Sequence, residues 1–467
     1  MTALLLVGCA KAEQNRMIFY GGDIVTMSDT PSRIVEAVLV ENGRIVSLGS
    51  KEDILRHKSD ATRLIDLQGK TLIPGFVGVH SHPDLSAYLY GYVDLSGFTH
   101  KTKDEVWARL RLAVKETKKG QWIFCRGFDP MLVPGLTAPD IKYLDSIAPD
   151  NPVFILAQSM HSAWANSLAF KKMGITGKTP DPAPGNYYEK DSRGELTGLI
   201  VETKAIMTVA ADAIKVFDIK DNAVKVLDDY LGNGITSITT LGLANSKAFI
   251  LYEHLSTHQP KLISQALDMV GMLPDRKPTL RHFIYLMHTT PDLFPDKVEN
   301  GDDFFRVCGV KLWYDGSPYT GSMYLKEPYL NSELVTKGLK IPLNHRGKPV
   351  IDKQEFYDAV KKYHELGWQV SVHSQGDQST EEVLGVFEQI QSKSSVNNLR
   401  HRIEHGVLLP PELLGKMKRL DITPSFHINH LYYYGSALND DILGAKRTAR
   451  MLPVNSTGKS GLFYSLH

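Results

Sequence analysis

From about residue 232 onward, short runs of apolar and β-branched residues alternate with stretches of helical period. Runs of strand character cover residues 76–82, 235–240, 263–270, 305–314, 369–374, 401–405 and 422–427. Helical periodicity fills 354–366, 377–392 and 410–418. Strands separated by helices have to lie parallel, since a parallel pair needs a long crossover between its members. The simplest solution is an α/β fold, a (β/α)8 TIM-like barrel. The rival is a doubly wound open sheet, but the chain lacks a glycine-rich phosphate loop after the first strand. The last residues, 461–467, read as strand eight, broken off where the sequence stops.

Ahead of the barrel, residues 16–73 read as a small β domain of sandwich type. Its clearest mark is Asn42-Gly43 between two β-branched runs, a hairpin signal. The barrel then takes 74–467, interrupted by an insertion at about 83–232 between its first two strands. A structureless loop of that length is improbable, so the insertion is expected to carry elements of its own, such as a helix at 103–118.

At 467 residues, 42% hydrophobic and 22% charged, the composition is that of a globular protein with two or three domains, or one barrel with attachments. The net charge of +1 gives no reason to expect a nucleic-acid partner. No apolar run is long enough to span a bilayer. Three cysteines cannot make a disulfide framework. One of them, Cys9, closes Leu6-Val7-Gly8-Cys9, which resembles a bacterial lipobox. The expectation is therefore an exported protein, tethered to the membrane through a lipidated Cys9 or released outside the cell, with a cytoplasmic protein as the alternative. Residues 1–15 are set aside as signal or linker.

The chemistry-bearing residues fall at strand ends. Val79-His80-Ser81-His82-Pro83 closes the first strand, and alternation along a strand turns His80 and His82 to one face. Lys311 lies in the apolar run Cys308-Gly-Val-Lys-Leu-Trp-Tyr, where a lysine ordinarily snorkels out or meets a carboxylate. His373 and His405 close two later strands, and either alone would pass for a core histidine. Four histidines and a lysine, all at strand ends and in barrel order, form the constellation expected of a metal site.

These residues resemble those of the metal-dependent amidohydrolase superfamily, closest to the branch that includes N-substituted formamide deformylases. The resemblance is carried by Leu72-Ile-Pro-Gly-Phe-Val-Gly-Val-His80-Ser-His82, Met160-His161-Ser-Ala-Trp164-Ala-Asn166, Gly194-Glu-Leu-Thr-Gly, Lys311 with Asp315-Gly-Ser317, His373-Ser-Gln-Gly-Asp377 and Arg402-Ile-Glu-His405. It implies that His80 and His82 bind one metal and His373 and His405 a second. Lys311 would bridge them as a carbamate formed with carbon dioxide. One or two zinc ions suit such donors best, and iron and manganese are also taken by them. The implied activity is hydrolysis of a C–N bond in a small-molecule amide, N-acyl or N-formyl substrate by metal-activated water. Ester, lactone or cyclic-imide hydrolysis, or a non-catalytic binding protein on the same scaffold, are the alternatives.

Two departures stand out. The resemblance calls for an aspartate after strand eight as general base, and its place falls past His467. Asp440 and Asp441 read as loop residues, while Asp315 and Asp377 read as supporting or helix-capping groups. The expectation is a C-terminally truncated gene product whose barrel does not fully close and whose turnover is reduced by on the order of 10²–10⁴. The second departure is Pro424-Ser-Phe-His427-Ile-Asn-His430-Leu-Tyr-Tyr-Tyr434, richer in histidine and tyrosine than the pattern. It suggests a substrate-facing loop, with His427, His430, His161 and Trp164 as candidate substrate contacts; packing of the aromatic groups is the competing account.

Overall fold

The computed structural model describes residues 15–28, 31–183, 186–275, 280–298 and 301–467. Cys9 and its lipobox-like segment lie outside them. Two compact units divide the chain after Phe76.

The first unit holds β1 (Arg16–Val25), β2 (Ile34–Glu41), β3 (Arg44–Gly49) and β4 (Thr62–Asp66) in the order β3-β2-β1-β4. The β2–β3 hairpin turns at Asn42 and Gly43, with φ of 49° and 75°. Those angles are the pair of left-handed residues that Asn-Gly supplies at low cost. Ile18, Ala37 and Leu39 pack with Ile54 of the helix Lys51–Leu55, and Ile24, Val35 and Val38 form a second cluster. The sandwich expected from the sequence is corrected here to a single layer. All four strands join one hydrogen-bonded sheet, which leaves none among the described residues to build a facing one.

The second unit opens with β5 (Phe76–Ser81) and then makes the long excursion. The excursion is a small domain, with β6 (Val93–Asp94), β7 (Ile123–Phe128), β8 (Val153–Ala157), β9 (Ser162–Ala165), β10 (Tyr187–Lys190) and β11 (Leu196–Val201) in the order β10-β11-β9-β8-β7-β6. Its helix Lys103–Glu116 begins with a reciprocal cap between Thr102 and Glu105. Two apolar clusters consolidate it, one around Phe124, Phe154 and Ile200, the other around Trp107, Phe128 and Trp164.

After the helix Ile219–Gly232 the chain returns through β12 (Ile235–Leu243), β13 (Arg281–Met287), β14 (Phe305–Trp313), β15 (Gln369–Ser374), β16 (Arg402–His405), β17 (Thr423–Phe426) and β18 (Ser465–Leu466). These strands and β5 form an eight-stranded sheet in strict sequence order, β5 at one edge and β18 at the other. The His467 ring, just past β18, stacks on that of His80 in β5 at 4.3 Å, so the edges curl together into a nearly closed TIM-like barrel. One strand assignment is overturned. Residues 263–270 belong to the helix Leu262–Met269, and the third barrel strand is β13. Leu262, Leu267 and the residues between them repeat at helical as well as strand spacing, whereas Arg-His-Phe-Ile-Tyr-Leu-Met carries the aromatic and β-branched residues a buried strand packs best. Asp440 and Asp441 lie in the single wide turn Leu438–Ile442 rather than in a loop.

Buried histidines away from the strand ends bear on acid stability. His401 accepts the Val370 N–H at Nδ1 (2.9 Å), and its Nε2 lies 2.9 Å from Nδ1 of His364. Burial pushes His401 down to about 3 and lowers His364; it also pushes His282, bonded to Thr240, down to about 3. A histidine kept neutral in the fold regains its ordinary value near 6.5 on unfolding. Its contribution is therefore complete above that value and drains away below it, by up to ~1.4 kcal/mol per pH unit each. Urea midpoints of the metal-free protein are expected to fall steeply from pH 6.5 to 4, and His401→Gln to flatten that slope by about one proton. An unchanged slope in the variant rules out this origin.

Candidate metal centre

β5, β14, β15 and β16 deliver His80, Lys311, His373 and His405, and His82 follows as the cap residue of the helix Pro83–Leu89. Register sets them in layers: Trp313 lies opposite His373, and Ser374 opposite His405. The His80 ring stands 5.3 Å from His82 and 4.7 Å from His405, and His373 stands 4.4 Å from His405. His405 has a φ of 73°, a left-handed conformation that costs a non-glycine residue energy. That backbone twist breaks strand alternation at the point where His405 turns toward its neighbours. The four histidines assigned from the sequence are thus brought together, and Lys311 lies near enough to lower each of them by its charge.

Donor atoms are closest for a partly different trio. Ring nitrogens of His80, His405 and His467 all lie within 4.8 Å of one another. His467 was passed over in the sequence because an acid was expected at that strand end; its own position there was the available signal.

Outer groups fix the rings. Glu404, fully buried, accepts from His80 Nδ1 (2.8 Å), Ser371 Oγ (2.7 Å) and Arg402 Nε (2.8 Å). Burial alone would push the Glu404 carboxyl up, but Arg402 and the His80 bond hold it well below the carboxylate range. With Nδ1 engaged, His80 turns its Nε2 the other way, the arrangement that orients metal-binding imidazoles. Glu404 was present in the sequence motif but given no role. The signal was an Arg-x-Glu pair on one face of a buried four-residue strand.

Burial lowers all the histidines of the cluster, His82 to about 3 and His427 to about 4, so they stand neutral with lone pairs available. Burial also pushes Lys311 down to about 7, and its Nζ has no hydrogen-bond partner. Such an orphaned, partly neutral amine among neutral imidazoles fits a site that binds a cation once the amine becomes an anionic oxygen donor.

Asp315 is buried and accepts the backbone N–H groups of Gln375, Gly376 and Tyr324 at 2.9–3.1 Å, while burial pushes its carboxyl up to about 7. It ties the loops after β14 and β15 together, with one oxygen 4.0 Å from His373 Nε2. Asp377 accepts the Lys326 N–H at 2.9 Å. His427 lies beside the cluster, 5.6 Å from His405, and His430 hydrogen bonds Tyr319 through Nδ1 at 2.5 Å. His161 pairs with Glu202 at 3.1 Å on the excursion domain. Trp164 is buried against Phe128 (5.1 Å) in that domain's core, as the packing account of this residue expects. A cavity of about 420 Å³ lined by Tyr90, Arg126, Asp229 and Asn233 borders none of the imidazoles.

A parallel barrel with histidines and a buried lysine at its C-terminal strand ends is the framework of a metal-dependent hydrolase. The family model of the amidohydrolase family matches residues 63–467, and the chain belongs to that family. It is similar to N-substituted formamide deformylase of Arthrobacter pascens, 25% identical over 447 residues that cover 94% of this chain and 78% of the relative. It is equally similar to exoenzymes regulatory protein AepA of Pectobacterium carotovorum subsp. carotovorum, 25% over 403 residues (85% and 81%). Protein LONG AFTER FAR-RED 3 of Arabidopsis thaliana is 26% identical over 422 residues (89% and 68%). Two solved structures, each an uncharacterized metal-dependent hydrolase, share the fold. That from Pyrococcus horikoshii OT3 has a TM-score of 0.68 at 22% identity over 97% of this chain and 82% of its own. That from Pyrococcus furiosus has 0.67 at 23%, over 97% and 85%.

Proposed function

We propose that this chain hydrolyses an amide-type C–N bond of a small molecule, an N-acyl or N-formyl group, at a divalent metal centre held by His80, His82, Lys311, His373 and His405. The observation that carries the reading is Lys311, a fully buried amine with no hydrogen-bond partner, its Nζ over the Trp313 ring at 5.4 Å and near enough to lower His80, His82, His373 and His405 by its charge. Its neutral form adds to carbon dioxide through nitrogen, giving a carbamate anion and releasing one proton. The carbamate supplies the oxygen donors a bare ammonium lacks, and the donor set suits zinc. A divalent metal in such a site polarises a carbonyl and lowers the pKa of water to about 7. Glu404 keeps His80 in the required tautomer, and Asp315 holds the loop that follows His373. His427, 5.6 Å from His405, and His430, beside His427 and Tyr319, are the residues to which this reading gives the substrate contacts. The printed name of the Arthrobacter pascens relative supports the bond type.

The printed name of the Pectobacterium carotovorum relative, a regulatory protein, favours a second reading, a binding protein on the same scaffold. The two separate cleanly. Zinc-loaded protein is expected to release amine from N-formyl and N-acyl amines, and His80→Asn to lose both metal and turnover. Full metal occupancy with no hydrolysis of amides, esters or imides overturns the enzymatic reading in favour of the regulatory one.

A further inference from the structure

Resting on that metal-centre reading, we propose that His467 is itself a metal ligand, its Nε2 completing a three-imidazole face with His80 and His405 for one transition-metal ion. The placement is specific. His467 Nε2 lies 3.1 Å from His405 Nδ1, and the His467 ring stacks on His80 at 4.3 Å and 17°. His427 stacks on it as well, at 5.0 Å and 25°, which leaves the His467 ring little freedom to turn.

The same preparation seen at His80 recurs here with different atoms. The Nδ1 of His80 is engaged by buried Glu404, and the Nδ1 of His467 by the hydroxyl of buried Ser425 at 2.9 Å. In each ring an outer partner engages Nδ1 and leaves Nε2 for the cluster; the Glu404 carboxylate, an acceptor only, also sets the His80 tautomer, while the Ser425 hydroxyl orients the His467 ring. The backbone is pinned on both sides: the His467 N–H donates to Phe426 O at 2.9 Å, and Ile428 N–H donates to His467 O at 3.1 Å. A purely structural histidine pair would satisfy itself with one hydrogen bond, and two nitrogens would need no third ring within reach. Three neutral nitrogens gathered within 4.8 Å make a facial donor set that selects zinc, cobalt, nickel or copper over magnesium or calcium.

The test uses the full chain loaded with copper(II) as probe, read by nitrogen hyperfine structure in its electron paramagnetic resonance spectrum and by metal content after dialysis. His467→Gln is expected to remove one coordinated nitrogen and to weaken binding more than about tenfold. Ser425→Ala should keep all the nitrogens and weaken binding less. Substitution of exposed His57, His57→Gln, reports copper held by surface imidazoles and is expected to change neither readout. If His467→Gln keeps the wild-type spectrum and affinity while His80→Asn loses both, His467 is not a ligand although the metal centre stands. If wild type holds no more copper than His80→Asn, both readings fall. Circular dichroism of each variant establishes that it is folded, and the backbone hydrogen bonds of residue 467 are untouched by the glutamine.

Discussion

Lys311→Met is expected to act in opposite directions on the metal-free and metal-loaded protein. Methionine matches the length and flexibility of the lysine stem, so the surrounding barrel layer should keep its packing. In the metal-free chain the wild-type Nζ is buried without a partner, a defect that costs about 1–3 kcal/mol. Metal-free Lys311→Met should therefore be more stable than wild type by about that amount. Its pH dependence should change too. Burial pushes Lys311 down to about 7, so between that value and the ordinary lysine value near 10.4 the unfolded chain binds the proton and the fold does not. Wild-type stability should rise with pH across that window, by up to ~1.4 kcal/mol per unit, and the variant should lack that rise. With metal the order reverses. Losing the one of the five proposed ligands that can become an anionic oxygen donor should cut metal affinity beyond the ~10–100-fold loss typical of removing a merely supporting group, with turnover following it down. Metal content by elemental analysis and Tm with and without a chelator read both halves. A variant that retains the wild-type metal stoichiometry would falsify the role given to Lys311.

The sequence exposed the ends of the strands more clearly than what lies behind them. His80, Lys311, His373 and His405 each lie at or near the end of a run of strand character, and for the first three a strand's two-residue period decides which way they face. Their assembly was therefore readable once the runs were put in barrel order. β13 was misplaced because its rival segment, residues 262–269, is as apolar, and exposure decides the case: Leu262 and Met269 are more than four-fifths exposed, as no central barrel strand could be. Trp164 stays open between two accounts in the sequence for a related reason, since an aromatic residue in a motif looks alike whether it lines a pocket or fills a core. Glu404 was harder still. Its importance comes from Arg402, Ser371 and His80, which lie up to 324 positions away and meet it only through the fold. The left-handed backbone at His405 left no trace in composition, because histidine carries no marker for that conformation as glycine does.

Replacing Glu404 separates what holds the barrel from what prepares the metal site. Glu404→Ala leaves the Arg402 guanidinium buried with its charge uncompensated, and removing one partner of such a pair costs about 3–5 kcal/mol. The variant should unfold at markedly lower urea, and loss of metal in it would be uninformative. Glu404→Gln preserves shape but offers a single acceptor oxygen to three donors. If that oxygen stays with Arg402 and Ser371, the amide N–H₂ faces His80 Nδ1, which must then accept rather than donate. His80 would carry its proton on Nε2, the atom that has to present a lone pair. Metal affinity should fall about 10–100-fold in a protein that still folds. The double variant Glu404→Ala/Arg402→Met completes the argument by removing both charges. It should recover most of the stability lost in Glu404→Ala, since an apolar replacement of a buried pair is often nearly neutral, yet leave the metal affinity low. Chemical denaturation measures the first quantity and metal titration the second. Recovery of metal affinity together with stability in the double variant would mean that Glu404 supports only the fold, and that some other group holds His80 in the metal-binding tautomer.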